Sequence, residues 1–151
     1  MGDFVRIVYG TDPAVAEWVA SRAPLERPDF GKYATIAILD SQDRLAGGIV
    51  LSDYKPNYGT IQLAGASDSW VVAGPQTARE ILAFTFEKLG VRKIWTQSGL
   101  SNTRALRLLK AYGFRQEGIL AEHYGPREHC VLMRLLRREW ELLNGKLRKA
   151  A

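Results

Sequence analysis

A single cysteine, Cys130, stands in this 151-residue chain. No intrachain disulfide can staple the fold, and a reducing, cytoplasmic setting is expected. Cys130 sits between His129 and Val131 in an apolar run, which predicts a buried free thiol. Histidine is almost as scarce. His123 and His129 are the only two, with no His-x-x-x-His or Cys-x-x-Cys spacing, so the sequence predicts no metal site. No Gly-x-Ser-x-Gly elbow occurs, which removes the hydrolase chemistry that depends on it. No apolar run approaches the roughly 20 residues that cross a bilayer, so no membrane partner is expected. The opening residues, Met1 to Arg6, lack the basic and apolar regions of a secretory leader. Helix-turn-helix and RNP motifs are missing, and the aromatics do not alternate with Lys and Arg along one strand. Nucleic acid is therefore disfavoured as a partner.

What is present is ordinary globular composition, 46% hydrophobic and 25% charged. The length predicts one domain over residues 1–151 with a buried core, residues 137–151 forming a basic C-terminal helix or tail. The net charge of +5 is unevenly placed, with residues 1–75 at −3 and residues 76–151 at +8. A basic half steers anionic ligands. A phosphorylated cofactor, nucleic acid and a merely soluble surface all satisfy that observation. Salt separates them, because a phosphate-backbone binder loses affinity steeply as salt rises.

Along the chain, residues 4–9 alternate as a first strand. Asp12-Pro13 starts a helix, since Asp caps free N–H groups and Pro suits the first helical position. Val15, Trp18 and Val19 recur on one face of it. Two strands over Tyr33–Leu39 and residues 45–51 flank a polar turn at 40–43, the pattern of an antiparallel hairpin. A turn at 55–59 leads to a fourth strand near residues 60–64. Ala78, Ile81, Leu82, Thr85, Phe86 and Leu89 mark one face of a helix closed by Gly90. Residues 93–97 form a fifth strand. A helix over about residues 102–112 precedes a sixth strand from Phe114 and a seventh over 129–135. A last helix begins at Arg137 and is expected to fray beyond Gly145. This element order predicts an α+β fold of mixed α/β layers rather than a doubly wound one.

The segment from Ser101 to Gly118 carries the most chemistry. It begins at a polar cap, stops at Gly113 and runs straight into a strand. Within it Ala105, Leu108, Leu109 and Tyr112 are expected to face the core, with Arg104, Arg107 and Lys110 opposite. Its Asn-x-x-Ala start and Gly-Phe-x-x-Glu-Gly end resemble the fourth-helix signature of the GNAT superfamily of N-acetyltransferases. The stretch Leu45 to Tyr54, followed by residues 62–65, is similar to a compact phage and bacterial group of that superfamily. Residues 132–140 resemble the end of its ribosomal-protein alanine acetyltransferase branch. The resemblance runs from about residue 33 to Trp140.

The resemblance implies a seven-stranded, mostly antiparallel twisted sheet flanked by helices, with strands 4 and 5 splayed to admit coenzyme A. It implies acetyl-CoA as co-substrate, no metal, and direct transfer of an acetyl group to a primary amine in a ternary complex. A helix N-terminus exposes N–H groups that attract phosphate, and the family's pyrophosphate motif falls on Ser69 to Gly74. Gly74 alone matches that motif. Cofactor contacts then fall on Leu63, Ala64, Val72, Ala73, Gly74, Gln76, Asn102 and Ala105. Asn102 serves as helix cap and as partner of the pantetheine arm, two compatible roles. The Ala64 N–H is the expected oxyanion donor.

Asp53 and Tyr54 are implied at the acceptor side, although Asp53 also reads as an ordinary turn residue. Tyr124 is a further candidate for proton handling, in a polar cluster with Glu122, Glu128 and the two histidines. That cluster also reads as a solvated turn. Arg104, Arg107 and Lys110 form either a solvated face or a contact to the cofactor's 3′-phosphate. One departure stands out: the family's proton-donating tyrosine is replaced by Leu109. A protein that binds coenzyme A without catalysis is therefore one alternative, and a basic nucleic-acid-binding module is another. The expected acceptor is a small-molecule or peptide amine, and the Trp140, Leu142 and Leu143 tail is expected to pack either across a homodimer or against its own sheet.

Overall fold

Asp12 and Pro13 open the first helix as their chemistry requires. In the computed structural model the Asp12 carboxylate accepts the Ala14 N–H at 2.9 Å. Pro13 begins α1 (Pro13–Ser21), where a missing N–H removes no helical bond. The Asp12 N–H donates to Thr35 Oγ1 at 2.9 Å, tying the helix entry to β2 (Tyr33–Leu39). The structure describes residues 5–23, 28–68 and 74–150, and for residues 146–150 the backbone course alone.

The remaining strands are β1 (Arg6–Gly10), β3 (Leu45–Lys55), β4 (Thr60–Ser67), β5 (Lys93–Gly99), β6 (Arg115–Gly125) and β7 (Glu128–Leu136). Together the seven strands form a mixed sheet in the order β1-β2-β3-β4-β5-β7-β6. The other helices are α2 (Pro75–Ala83), α3 (Thr103–Ala111) and α4 (Arg137–Ala150). This is the α+β mixed-sheet architecture that the element order predicts. The chain divides into two compact units, Met1–Tyr54 with Gln62–Leu82, and Lys55–Ile61 with Ala83–Ala151. Charge follows that division. The first unit holds six Lys/Arg against ten Asp/Glu, and the second fifteen against six.

In the first unit, β1, β2 and β3 form an antiparallel meander, with Val8 opposite Ala37 and Ile36 opposite Ile49. Its first turn is built by Asp40, whose carboxylate accepts the Gln42 and Arg44 N–H groups at 2.9 and 3.0 Å. The Arg44 N–H above all holds the Asp40 carboxyl below its ordinary range; desolvation opposes it, and the Gln42 N–H and the Arg44 guanidinium add to the lowering. Val15, Ala16, Val19 and Ala20 are the buried face of α1. That face reaches β3 because Gly48 has no side chain. A Cβ there would lie 2.9 Å from Val19 Cγ2 and 3.3 Å from Val15 Cγ1.

In the second unit β7 lies between β5 and β6, antiparallel to both. Its Val131, Met133 and Leu135 are buried. Chain segment 84–88 departs from the straight α-helix that periodicity predicts. It widens into a π turn, with the Leu89 N–H reaching back to Phe84 O at 3.4 Å. Arg137 Nη1 donates to Phe86 O at 3.0 Å, and the Phe86 ring stacks on Trp140 at 5.1 Å. A tertiary cation and an aromatic stack thus fix a conformation that local pattern does not encode. The helix then ends at Gly90, left-handed at φ +70°, as expected. The turn between β3 and β4 also belongs here, since Gly59 O accepts the Arg92 and Lys93 N–H groups at 2.7 and 3.1 Å.

The last helix does not fray at Gly145 but continues to Ala150. Its start is well held. Glu139 accepts the Leu136 N–H at 2.9 Å and pairs with Arg115 and Arg134, while Arg137 pairs with Glu141 four residues on. Such support outweighs the roughly 1 kcal/mol that an interior glycine costs.

Two packing points are testable by urea denaturation. Gly48→Ala forces a methyl into the α1 valines and is expected to cost about 1–3 kcal/mol. Trp140→Ala empties the Phe86 stack and is expected to cost about 3–5 kcal/mol. Wild-type stability for either variant would contradict the packing described.

Candidate functional site

Helix α3 is positioned from its first residue. Asn102 Oδ1 accepts the Ala105 N–H at 3.2 Å, the Asn102 N–H donates to Gly99 O at 2.9 Å, and Asn102 O accepts from Leu106 at 3.2 Å. Asn102 is thus the cap that the sequence predicts. Its side-chain NH₂ takes no part in capping and is the group that could meet a ligand. The Ala105 N–H is consumed by the cap, so a ligand contact there rests on the small methyl and not on a backbone donor. The helix face is correctly read, with Ala105, Leu108, Leu109 and Tyr112 half-buried and Arg104, Arg107 and Lys110 exposed. No residue of α3 is fully buried, however, so the expected core face is a partial one.

The helix closes at Tyr112 and at Gly113, which is left-handed at φ +98°. A Cβ on Gly113 would lie 3.0 Å from Leu143 Cδ2, so glycine also admits the neighbouring α4 side chain. The Tyr112 hydroxyl is buried with no hydrogen-bond partner among the described residues. Burial pushes it up to about 12 from an ordinary 10.0, so it stays a neutral donor at any physiological pH. Sequence periodicity places Tyr112 on the right face but cannot reveal an unpaired hydroxyl.

At the start of α2, Gly74 O accepts the Ala78 N–H at 3.0 Å and Pro75 offers no donor. Helical geometry leaves the Gln76 and Thr77 N–H groups without an intrahelical acceptor. Thr77, buried here, escapes the sequence reading because its type is unremarkable. Ser69, Val72 and Ala73 lie outside the described residues. On β4, Leu63 is buried, and Ala64 is half-buried against the Ala16, Val19 and Val50 cluster.

Asp53 and Tyr54 are not turn residues. Both lie in the last three positions of β3, exposed, and Asp53 is left-handed at φ +49°. A left-handed non-glycine residue inside a strand is a local departure from extended backbone. The turn begins only at Lys55, whose carbonyl accepts the Tyr58 and Gly59 N–H groups.

Tyr124 and its cluster lie on strands rather than in the turn itself, and much of the cluster is exposed. Ala121 to Gly125 belong to β6 and Glu128 onward to β7, leaving Pro126 and Arg127 between them. The Glu122 N–H donates to His129 Nδ1 at 2.9 Å, and Glu122 Oε1 accepts the Arg127 N–H at 3.2 Å. The His123 ring meets Tyr124 edge-on at 5.1 Å. His129 O accepts the Leu100 N–H at 2.9 Å, and Ser101 Oγ donates to Glu128 Oε2 at 3.4 Å. The hairpin tip is therefore tied to the residues just before Asn102. Asp53, Tyr54, Leu63, Ala64, Gly74 and Gln76 belong to the first unit, and Asn102, Ala105 and Tyr124 to the second.

Two substitutions check this geometry. Asn102→Ala removes the cap and is expected to cost about 1 kcal/mol, whereas Asn102→Asp retains an acceptor and stays near wild type. For Tyr112 the folded value lies above the unfolded one, so stability is held below about pH 10 and lost as pH rises through about 12. Tyr112→Phe is expected to be at least as stable as wild type near neutrality and to flatten that alkaline loss, as read by denaturation across pH.

No protein-family model matches the chain, and no curated protein is similar to it in sequence. Solved structures are similar in fold. A spermidine N-acetyltransferase from Vibrio cholerae in complex with CoA and spermine is 16% identical, with a TM-score of 0.70 over 91% of this chain and 98% of the other. A chimera of that Vibrio cholerae enzyme, SpeG, with hSSAT is also 16% identical, with a TM-score of 0.71 over 93% and 99%. A probable acetyltransferase is 16% identical, with a TM-score of 0.68 over 92% and 95%. At that identity the likeness speaks for the fold, and the chain has the fold of the N-acetyltransferases that its Asn102 and Gly113-Phe114 signature resembles.

Proposed function

We propose that the protein transfers an acetyl group from acetyl-CoA to a primary amine, with a small polycationic amine as the acceptor class. The observation that carries this reading is the shared fold with spermidine N-acetyltransferases over more than nine-tenths of the chain, at a TM-score of 0.70–0.71.

The described residues fit the carrier. The Gln76 and Thr77 N–H groups stand at a helix start, where phosphate is favoured. The Asn102 NH₂ is left over from capping and suits an amide carbonyl of the pantetheine arm. Leu63 and Ala64 are assigned to the pantetheine arm, while Val72 and Ala73, assigned to the phosphate loop from sequence, lie outside the described residues. Bound acetyl-CoA supplies an activated thioester carbonyl. The chain's own part is to bind and orient it, to hold the oxyanion with the Ala64 N–H, and to unload the acceptor. An alkyl ammonium is protonated near neutral pH, so a base must act. Asp53, Tyr54 and Tyr124 are assigned to that acceptor-side proton handling. Leu109 has no proton to give, so the departing thiolate takes one from water or another group.

Thiol release measured over spermine, spermidine, amino acids and lysine peptides tests the reading, with polyamines expected to turn over fastest. Asn102→Asp keeps the cap but loses the NH₂ donor, and is expected to weaken acetyl-CoA binding about 3- to 10-fold by calorimetry. Unchanged affinity would remove Asn102 from the site. Binding without thiol release on any amine would leave a coenzyme A-binding protein without catalysis.

A further inference from the structure

The bond between the Glu122 N–H and His129 Nδ1, 2.9 Å long, has one chemical requirement. A backbone N–H can only donate, so Nδ1 must present a lone pair. The imidazole is then neutral and carries its proton on Nε2. An imidazolium would set N–H against N–H.

What this bond holds is a strained element. Glu122 is left-handed at φ +52° and Arg127 at φ +65°, both non-glycine residues, and the β6–β7 register slips between Leu120 and Gly125. Such a bulge persists only where its surroundings fix it. His129 fixes it from one side, and the Glu122 carboxylate fixes the turn by accepting the Arg127 N–H. His129 then reaches forward through its own carbonyl, which accepts the Leu100 N–H at 2.9 Å. Beside it Ser101 Oγ donates to Glu128 Oε2 at 3.4 Å. The next residue is Asn102, whose side chain caps α3.

We propose that neutral His129 is a positioning residue, a pin that holds the β6 bulge and, through Leu100 and Ser101, sets the start of α3. It touches no reacting atom in this scheme. The groups around it are Glu122, His123 and Tyr124 on β6, Arg127 in the turn, Glu128 on β7, and Ser101 before α3. The pin requires the neutral ring, and a proton on Nδ1 would break it. The functional consequence, weaker acetyl-CoA binding at low pH, rests on the reading that Asn102 contacts the carrier.

Amide exchange and ring-nitrogen chemical shifts, read by NMR on the whole protein at about pH 8 and about pH 5, test the pin without reference to activity. At the higher pH the ring of His129 is expected to be the Nε2–H tautomer. Protection of the Glu122 and Leu100 amides is expected to fall about tenfold at the lower pH. His129→Asn offers a non-titrating acceptor close to the Nδ1 position, so it should keep that protection at both values. His129→Ala should lose it at both, and His123→Asn should behave as wild type. An Nδ1–H tautomer, pH-independent protection, or a pH response that survives in His129→Asn would overturn the proposal. Acetyl-CoA affinity is read in parallel. Where protection behaves as expected but affinity does not follow it, the pin stands and Asn102 is removed from the carrier site.

Discussion

The second unit depends on the placement of β7. This strand is the last of the chain, yet it lies between β5 and β6 and pairs with both. Neither neighbour can be satisfied earlier, because β5 and β6 do not pair with each other. Their backbone groups wait for Glu128–Leu136 to arrive, and an unpaired buried N–H or C=O is costly. Burial of Val131, Met133 and Leu135 gives β7 its apolar driving force. Lys93 and Glu117, 2.8 Å apart, bind the two flanking strands from either side of it.

Helix α3 inherits its position from that arrangement. Its start follows Gly99, which pairs with Cys130, and its end at Gly113 lies against Leu135 of β7 and Leu143 of α4. A helix with no fully buried residue gains little from burial alone. Its caps and its two ends therefore carry more of the definition than its face does. Asn102 Oδ1 is spent on that cap, so the ligand role proposed for Asn102 falls to the other end of its carboxamide, the NH₂.

Charge is sorted more sharply by the fold than by chain order. The Lys55–Ile61 segment belongs to the basic unit although it precedes Asp68 and Glu80 of the acidic one in sequence. Net values of −4 and +9 replace the −3 and +8 of the simple halves.

Much of this was legible in the residues themselves. Asp12-Pro13, the Asp40 turn, the Asn102 cap and the Gly90 and Gly113 stops are local devices whose chemistry fixes local conformation wherever they occur. Alternation and 3.6-residue periodicity likewise placed every strand and the buried face of α1. Other features needed partners distant in sequence. The π turn at 84–88 answers Arg137 and Trp140, some 50 residues on. The left-handed Asp53 and Glu122 are carboxylates of ordinary type whose backbones are set by pairing. The hydroxyl of Tyr112 is orphaned only because other segments close over it, and His129 acquires its tautomer from a backbone donor on the neighbouring strand. Sequence alone determined the order of the elements and their capped ends, such as Asp12, Asn102, Gly90 and Gly113, because those depend on neighbours in the chain. Tertiary structure decided strain, protonation and the pairing of buried polar atoms, because those depend on neighbours in space.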